Sequence, residues 1–295
     1  MSTQFVLLGT GAAEGVPCYG CSCQNCELAA RDARYRRRRA ANLLQVEGDF
    51  YLFDCGYDLV GAGMMDKDTP LRGVFLTHPH PDHVLGLPAL LPGGRMPLYL
   101  AFPNPLRSDD PGLGMDMLRV LFRYTRRLDV SFELVELRDF QALELGKLRV
   151  TPVRLHHPTP EPFRPGSSGF FIETPEGNVA YLLDTRGLPP ETLEFFQGRE
   201  VDMAVIDATY PPGTQEQERG HNDVDEALAA LRSLRPQVGV LTHIWHLNLT
   251  PSELEDYVLR RSEGWGFEVK VGRDGMRLTL DSLPQIQQPA GGLGA

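Results

Sequence analysis

No apolar run in this sequence approaches the roughly 20 residues that a membrane-spanning helix needs. The N-terminus, Met1-Ser2-Thr3-Gln4-Phe5-Val6-Leu7-Leu8, lacks the positive and long apolar segments of a secretion signal. A cytoplasmic chain with no membrane partner is therefore expected. Basic charge is also in short supply: 29 lysines and arginines face 39 aspartates and glutamates, for a net charge of −10. That balance argues against a nucleic-acid partner, which a basic surface usually attracts. The exception is Arg36-Arg37-Arg38-Arg39, read either as a solvated edge or as a phosphate contact. No internal repeat with a period of about 20–50 residues occurs, and no low-complexity linker divides the chain. One domain over residues 1–284 is expected, with a flexible tail over 285–295. Cysteines number only five, and in a reducing compartment they favour metal binding over disulfides.

What is present centres on Thr77-His78-Pro79-His80-Pro81-Asp82-His83. The apolar run Gly73-Val74-Phe75-Leu76 before it reads as a buried strand, and Val84 to Leu91 after it as the start of a helix. Pro79 and Pro81 bias His78 and His80 toward extended backbone. Alternate residues of an extended chain point the same way, so these two histidines share a face. Asp82 and His83 follow the turn and aim at a second point, which predicts two metals. Three histidines and an aspartate within six positions are a metal or catalytic cluster rather than a polar loop that caps a helix.

Further candidates also stand at strand ends. Asp54 ends the hairpin of Asn42–Val46 and Phe50–Asp54 and reads as a brace for the metal loop. His156 and His157 end a strand; one is a candidate ligand. Asp184 follows the apolar run Val179–Leu183, placed to bridge two cations with its two oxygens. Asp202–Asp207 reads as another buried strand. His221 precedes a helix over Val224–Ser233. Gln237–Leu241 leads to Thr242-His243-Ile244-Trp245-His246. Early in the chain, Cys21-x-Cys23-x-x-Cys26 sets three thiolates in one tight turn within a loop over 18–26, suited to a tetrahedral ion. Cys18 or a distant histidine is the fourth ligand. Cys55 reads as a small buried residue. A Gly-x-Gly turn at Gly9 and Gly11 lacks the third glycine of a dinucleotide site.

The unbroken H-x-H-x-D-H pattern resembles the metallo-β-lactamase superfamily. The resemblance implies an α/β fold, the four-layer αββα sandwich. It implies one metal on His78, His80 and His157, a second on Asp82, His83 and His243, and Asp184 between them. Leu8-Gly9-Thr10-Gly11, Gly15-Val16-Pro17, the cysteine cluster, Gly187-Leu188-Pro189 and Asp274-Gly275-Met276 are similar to the PhnP branch, phosphoribosyl 1,2-cyclic phosphate phosphodiesterases of phosphonate catabolism. That branch implies His246 as the fourth ligand of a structural Zn²⁺, and Mn²⁺ or Zn²⁺ in the dinuclear site. It implies His221 as general acid, oriented by Asp223 or Asp225, with Asp82 the other catalytic residue. A small phosphorylated substrate and a homodimer are the expected partners. Segments 103–128 and 158–167, the latter with Arg164, look longer than the branch's and border the pocket. The rivals are a cyclic-nucleotide phosphodiesterase, a tRNA 3′-end nuclease or a thioesterase on the same scaffold, and a carrier or assembly protein like PqqB, which shares the cysteine cluster.

Overall fold

The structure, a computed structural model, describes residues 2–59, 65, 68–90, 95–102, 117–157, 166–215 and 220–283. Residues 103–116 and 158–165, expected beside the pocket, and the tail 285–295 lie outside these.

In chain order the first half runs β1 (Gln4–Gly9), α1 (Gln24–Arg31), β2 (Ala41–Val46), β3 (Asp49–Phe53), β4 (Leu71–Leu76), α2 (Pro81–Val84), β5 (Met96–Leu100), α3 (Met117–Tyr124), α4 (Arg126–Ser131) and β6 (Phe132–Glu136). The second half runs β7 (Leu143–Leu145), β8 (Leu148–Arg154), β9 (Ser168–Thr174), β10 (Gly177–Leu182), α5 (Pro190–Phe196), β11 (Met203–Asp207), α6 (Val224–Leu234), β12 (Val238–Thr242), α7 (Pro251–Arg261), β13 (Glu268–Val271) and β14 (Arg277–Thr279). They form two seven-stranded sheets, ordered β14-β1-β2-β3-β4-β5-β6 and β13-β12-β11-β10-β9-β8-β7.

Period-two alternation explains the layering. Along β1, Phe5 and Leu7 enter the core between the sheets, while Val6 and Leu8 join the cluster containing Leu118 and Phe122 of α3. Along β10, Val179 and Tyr181 face the inter-sheet core. Ala180 and Leu182 face the cluster holding Phe196, Leu228, Leu231 and Leu254 of the helices. Strands buried on both faces read as continuous apolar runs, and covering helices complete the αββα sandwich. An aromatic stack binds the two sheets: Phe53 lies 4.9 Å from Phe75 and 5.7 Å from both Phe170 and Tyr181, ring centre to ring centre.

The strands carrying the motifs run parallel: β3 with β4, and β10 with β11 and β12. Their C-terminal ends therefore open on one edge of the sandwich. Two local expectations change. The helix expected over Val84–Leu91 is a single turn, Pro81–Val84, followed by a 3₁₀ turn at Leu87–Ala89. The break has two causes: the Gly86 amide donates to the Cys55 carbonyl at 2.8 Å and not to the preceding turn, and Pro88 has no amide to continue the ladder. Over most of its length the arginine run is not a solvated edge. Arg37 is buried and donates to Thr10 Oγ1 (2.9 Å) and the Gly272 carbonyl (2.6 Å). Arg39 pairs with Asp58 (3.0 Å) and lies over the Tyr57 ring.

Candidate active site

Asp54, Asp184 and Asp207 all come at the end of an apolar strand, where the chain leaves the sheet toward the open edge. Two of them organise the histidines. Asp54 Oδ1 accepts from the Thr77 amide (3.0 Å) and hydroxyl (2.9 Å), and its Oδ2 from the Tyr181 hydroxyl (2.8 Å). Thr77 Oγ1, having donated to Asp54, accepts from His78 Nδ1 at 2.9 Å. His83 Nδ1 lies 3.0 Å from Asp54 Oδ2. On the other sheet Asp207 Oδ1 accepts from the Thr209 amide (3.0 Å) and hydroxyl (2.7 Å), and Thr209 Oγ1 lies 2.8 Å from His243 Nδ1. His157 Nδ1 donates to the Gly220 carbonyl at 2.7 Å.

Each of these histidines thus spends its Nδ1 proton on an outer partner. By inference from those acceptors, Nε2 carries the lone pair and faces inward. Asp54 and His243 sit at φ 60° and 59°. Non-glycine residues occupy this left-handed region only when the surroundings demand it, and such positions concentrate at functional sites.

The ligand atoms fall into two sets, with a third and overlapping one, Asp184, Asp207, His221 and His243, taken up below. Those of His78, His80, His157 and Asp184 lie within 4.8 Å of one another, and so do those of Asp82, His83, Asp184 and His243. Asp184 belongs to both. His78 Nε2, His83 Nε2 and Asp184 Oδ1 are fully buried and make no hydrogen bond. Buried polar atoms normally have partners, and the two orphaned imidazole nitrogens stand 3.5 and 3.2 Å from the shared Asp184 carboxylate, one in each set, which fits a cation in each. Charge distribution supports this. Burial works against the Asp184 carboxylate, yet His243, His83 and His221 hold it well below the usual range. Burial opposes a charged His83, but Asp184, Asp54 and Asp82 raise it well above its ordinary value, a pull toward positive charge that a cation on Nε2 would meet in place of the proton. Burial pushes His157 down to about 4, leaving it neutral as a ligand must be.

His221 belongs to the same edge. Its Nδ1 is 2.8 Å from Asp207 Oδ2 and 3.9 Å from Asp184 Oδ2. Asp207, not Asp223 or Asp225, is the orienting carboxylate. Asp223 caps α6 by accepting from the Glu226 amide at 2.8 Å, and Asp225 accepts from the Tyr257 hydroxyl at 2.9 Å. Asp207 Oδ2 also accepts from the Thr185 amide at 3.1 Å, so the lone pairs on both its oxygens are engaged and it is poorly placed as a ligand. Burial opposes a charged His221, but Asp207 and then Asp184 raise it to about 9. His156 is exposed and its backbone bonds to Thr185 and Arg186, so His157 is the histidine that enters the site.

A second cluster lies three residues beyond His243. His246 Nδ1 stands 3.3, 3.6 and 3.9 Å from the sulfurs of Cys21, Cys23 and Cys26. The four ligand atoms lie within 4.8 Å of one another, a soft tetrahedral donor set. Cys18 contributes its backbone amide, which donates to Cys26 Sγ at 3.2 Å. Burial pushes the Cys26 thiol up to about 12. Cys55 is fully buried, as expected of a small core residue.

A chain with this sandwich and this edge cluster is of the metallo-β-lactamase type, a class of metal-binding hydrolases. The profile of the β-lactamase superfamily domain matches residues 50–244, and the chain belongs to that superfamily. It is 25% identical to the coenzyme PQQ synthesis protein B of Nitrosococcus oceani, over 93% of this chain and 99% of that one. It is 26% identical to an octanoyltransferase of Porphyromonas gingivalis over 96% of this chain, but spans only 54% of that protein's length. It is 35% identical to ribonuclease Z of Bacillus cereus over 52% of this chain and 46% of that enzyme. Among solved structures it superposes on a diphosphatase of the PhnP family with a TM-score of 0.70, 25% identity and coverage of 94% and 97%. Zn²⁺-bound PqqB of Methylobacterium extorquens gives 0.73, 23%, and coverage of 94% and 100%. Among the described residues no helix is long and apolar enough to cross a membrane.

Proposed function

We propose that the chain is a phosphodiesterase acting on a cyclic phosphodiester. Nε2 of His78 and His157, a ring nitrogen of His80 and one Asp184 oxygen would hold one divalent cation. Asp82, Nε2 of His83 and His243, and the other Asp184 oxygen would hold the second. The donor set of imidazole and carboxylate suits Mn²⁺ or Zn²⁺, and the three thiolates with His246 suit a structural Zn²⁺. When bound, the two cations polarise a phosphoryl oxygen and bring a water's pKa toward neutrality.

The protein's own part is protonation of the leaving oxygen. The observation that carries the reading is the His221–Asp207 pair beside Asp184. Asp207 fixes the ring with Nδ1–H outward, and its carboxylate favours the charged, proton-donating form of the imidazole. Nε2 is left to give its proton to the leaving alkoxide. A site that only stored a metal would have no use for such a donor, which separates this reading from a carrier of the PqqB kind.

The resemblance to the PhnP branch makes 5-phosphoribosyl 1,2-cyclic phosphate the first substrate to try. The test is turnover by Mn²⁺-loaded protein of that compound, 2′,3′-cyclic nucleotides, an aryl phosphodiester and a thioester. Turnover of a cyclic diester is expected. Inactivity on all four with metals bound would overturn the reading in favour of the carrier.

A further inference from the structure

Arg34, Tyr35, Arg36 and Arg37 meet Pro251, at the start of α7, and Arg273, before β14, around a notch in the surface. We propose that its four arginines bind a tetrahedral oxyanion outside the active site, a phosphate group that is free or ends a small molecule. No described residue lines both this notch and the cavity at the metal cluster. The inference does not depend on the phosphodiesterase reading.

Arg37 carries the argument. It is only 8% exposed, and its Nη1 donates to two neutral acceptors, Thr10 Oγ1 and the Gly272 carbonyl. Its Nε and Nη2 have no hydrogen-bond partner among the described residues. A buried charge without a bonded counter-ion is costly. Burial brings the guanidinium down to about 10; Asp274 opposes this, and Arg273 adds to it. Asp274 spends its oxygens on Thr10 and Arg38 and makes no bond to Arg37. An oxyanion in the notch would supply the missing partner, and a guanidinium fork suits its geometry. The surrounding charge agrees. Arg34 pairs with Asp32 (2.6 Å) and Arg273 with Glu255, both in exposed pairs that bind their partners weakly. Arg36 gives Nε to the Ala29 carbonyl at 3.3 Å, and no carboxylate among the described residues pairs with it. Four guanidinium groups thus meet two bonded carboxylates, in a chain whose net charge is −10. Size selects the ligand. The notch holds about 10 Å³, room for one water-sized atom. One oxygen of the anion would enter beside Arg37, and the rest would sit among the exposed guanidinium groups. A small notch on an acidic chain favours a single phosphate group over a polynucleotide.

The test is calorimetric titration of inorganic phosphate, and separately of glycerol 3-phosphate, into metal-loaded wild type, Arg36→Gln and Glu255→Gln. Both substitutions fall on exposed side chains, and elemental analysis checks that metal content is equal. Phosphate held by the metals is then common to all three proteins, so the differences report the notch. Arg36→Gln is expected to weaken one class of phosphate site about tenfold, as the loss of a charge-assisted hydrogen bond implies. Glu255→Gln releases Arg273 and is expected to tighten the same class. Within that pattern, tighter binding of the ester assigns the notch to a phosphorylated small molecule, and tighter binding of phosphate assigns it to the free ion. Equal affinities in all three proteins overturn the site. So does a single-stranded oligonucleotide whose binding requires Arg36 when phosphate binding does not.

Discussion

At the site edge Asp207 is fully buried and His221 half-buried against it. Removing the imidazole should leave both ligand sets intact, because neither depends on it in the assignment above. His221→Ala is expected to keep its bound metal, measured by elemental analysis, and to lose about 10²–10⁴ in kcat, the usual contribution of a general acid. Full turnover by the variant would remove the residue from the mechanism. Asp207→Asn is a sharper test. The new amide nitrogen would stand either at the Oδ2 place, facing the Thr185 amide and His221 Nδ1, or at the Oδ1 place, facing the Thr209 amide and hydroxyl; the first drives the imidazole toward the other tautomer and the second disturbs the Thr209 that holds His243. A loss in kcat with a displaced pH–rate profile is expected, with metal content unchanged. At this scale the sequence was half legible. The spacing of His78, His80, Asp82 and His83 pointed to two ligand sets, and Asp54 could be read as their brace. Asp207 could not, because as the last residue of Met203–Asp207 it looked like the polar end of a strand. The available signal was its likeness to Asp54: an aspartate that closes an apolar strand.

Single elements carry two roles at once in the loop after β12. His243 faces the active-site cluster and His246 the thiol cluster, only three residues apart. Asn25, on the first turn of α1, donates to the carbonyls of His246 (3.1 Å) and Asn248 (2.7 Å), so the cysteine loop and the β12 loop fold as one unit. Losing one thiolate should therefore cost folding free energy more than chemistry. Cys23→Ser is expected to lower the zinc content by one equivalent and to lower Tm, with a smaller change in kcat. Unchanged Tm and zinc together would exclude a structural ion there. The metal loop offers a second test. A Cβ at Gly86 would stand 2.3 Å from the Gly56 carbonyl and 2.7 Å from the Cys55 carbonyl. Backbone on both sides must then give way. Gly86→Ala is expected to destabilise by about 1–3 kcal/mol in denaturant titration, as overpacking does. Strand positions were legible because runs buried on both faces stand out by composition. The extent of α2 was not, since the Gly86 amide is taken by the carbonyl of Cys55, far back in the sequence.

The two sheets are joined late in the chain, where β13 of one passes to β14 of the other. Asp274 lies in that passage. It accepts from the Thr10 amide (2.9 Å) and hydroxyl (2.8 Å) at the end of β1, and from the Arg38 amide (2.7 Å). Arg37 meets the same Thr10 hydroxyl and the Gly272 carbonyl. The latch draws on three segments far apart in sequence, which is why the arginine run could not be assigned from composition. It also ties stability to pH. Burial raises the Asp274 carboxyl to about 6, despite the hydrogen bonds and arginines that favour its charge. The unfolded chain's aspartate titrates near 3.9. Between these values the folded chain binds a proton that the unfolded chain does not, so this group's stabilisation is complete below about 4 and is lost as pH rises through about 6. The shift corresponds to roughly 2–3 kcal/mol at most. Histidines and carboxylates of the active site also titrate here, but they are common to wild type and Asp274→Asn and cancel in the difference. The unfolding free energy of wild type minus that of Asp274→Asn should therefore fall between pH 4 and pH 7 by an amount of that order. A difference that is flat across the window would mean that the Thr10 and Arg38 hydrogen bonds hold Asp274 ionised throughout, and that the passage between the sheets is a salt-bridged latch at every pH at which the protein folds.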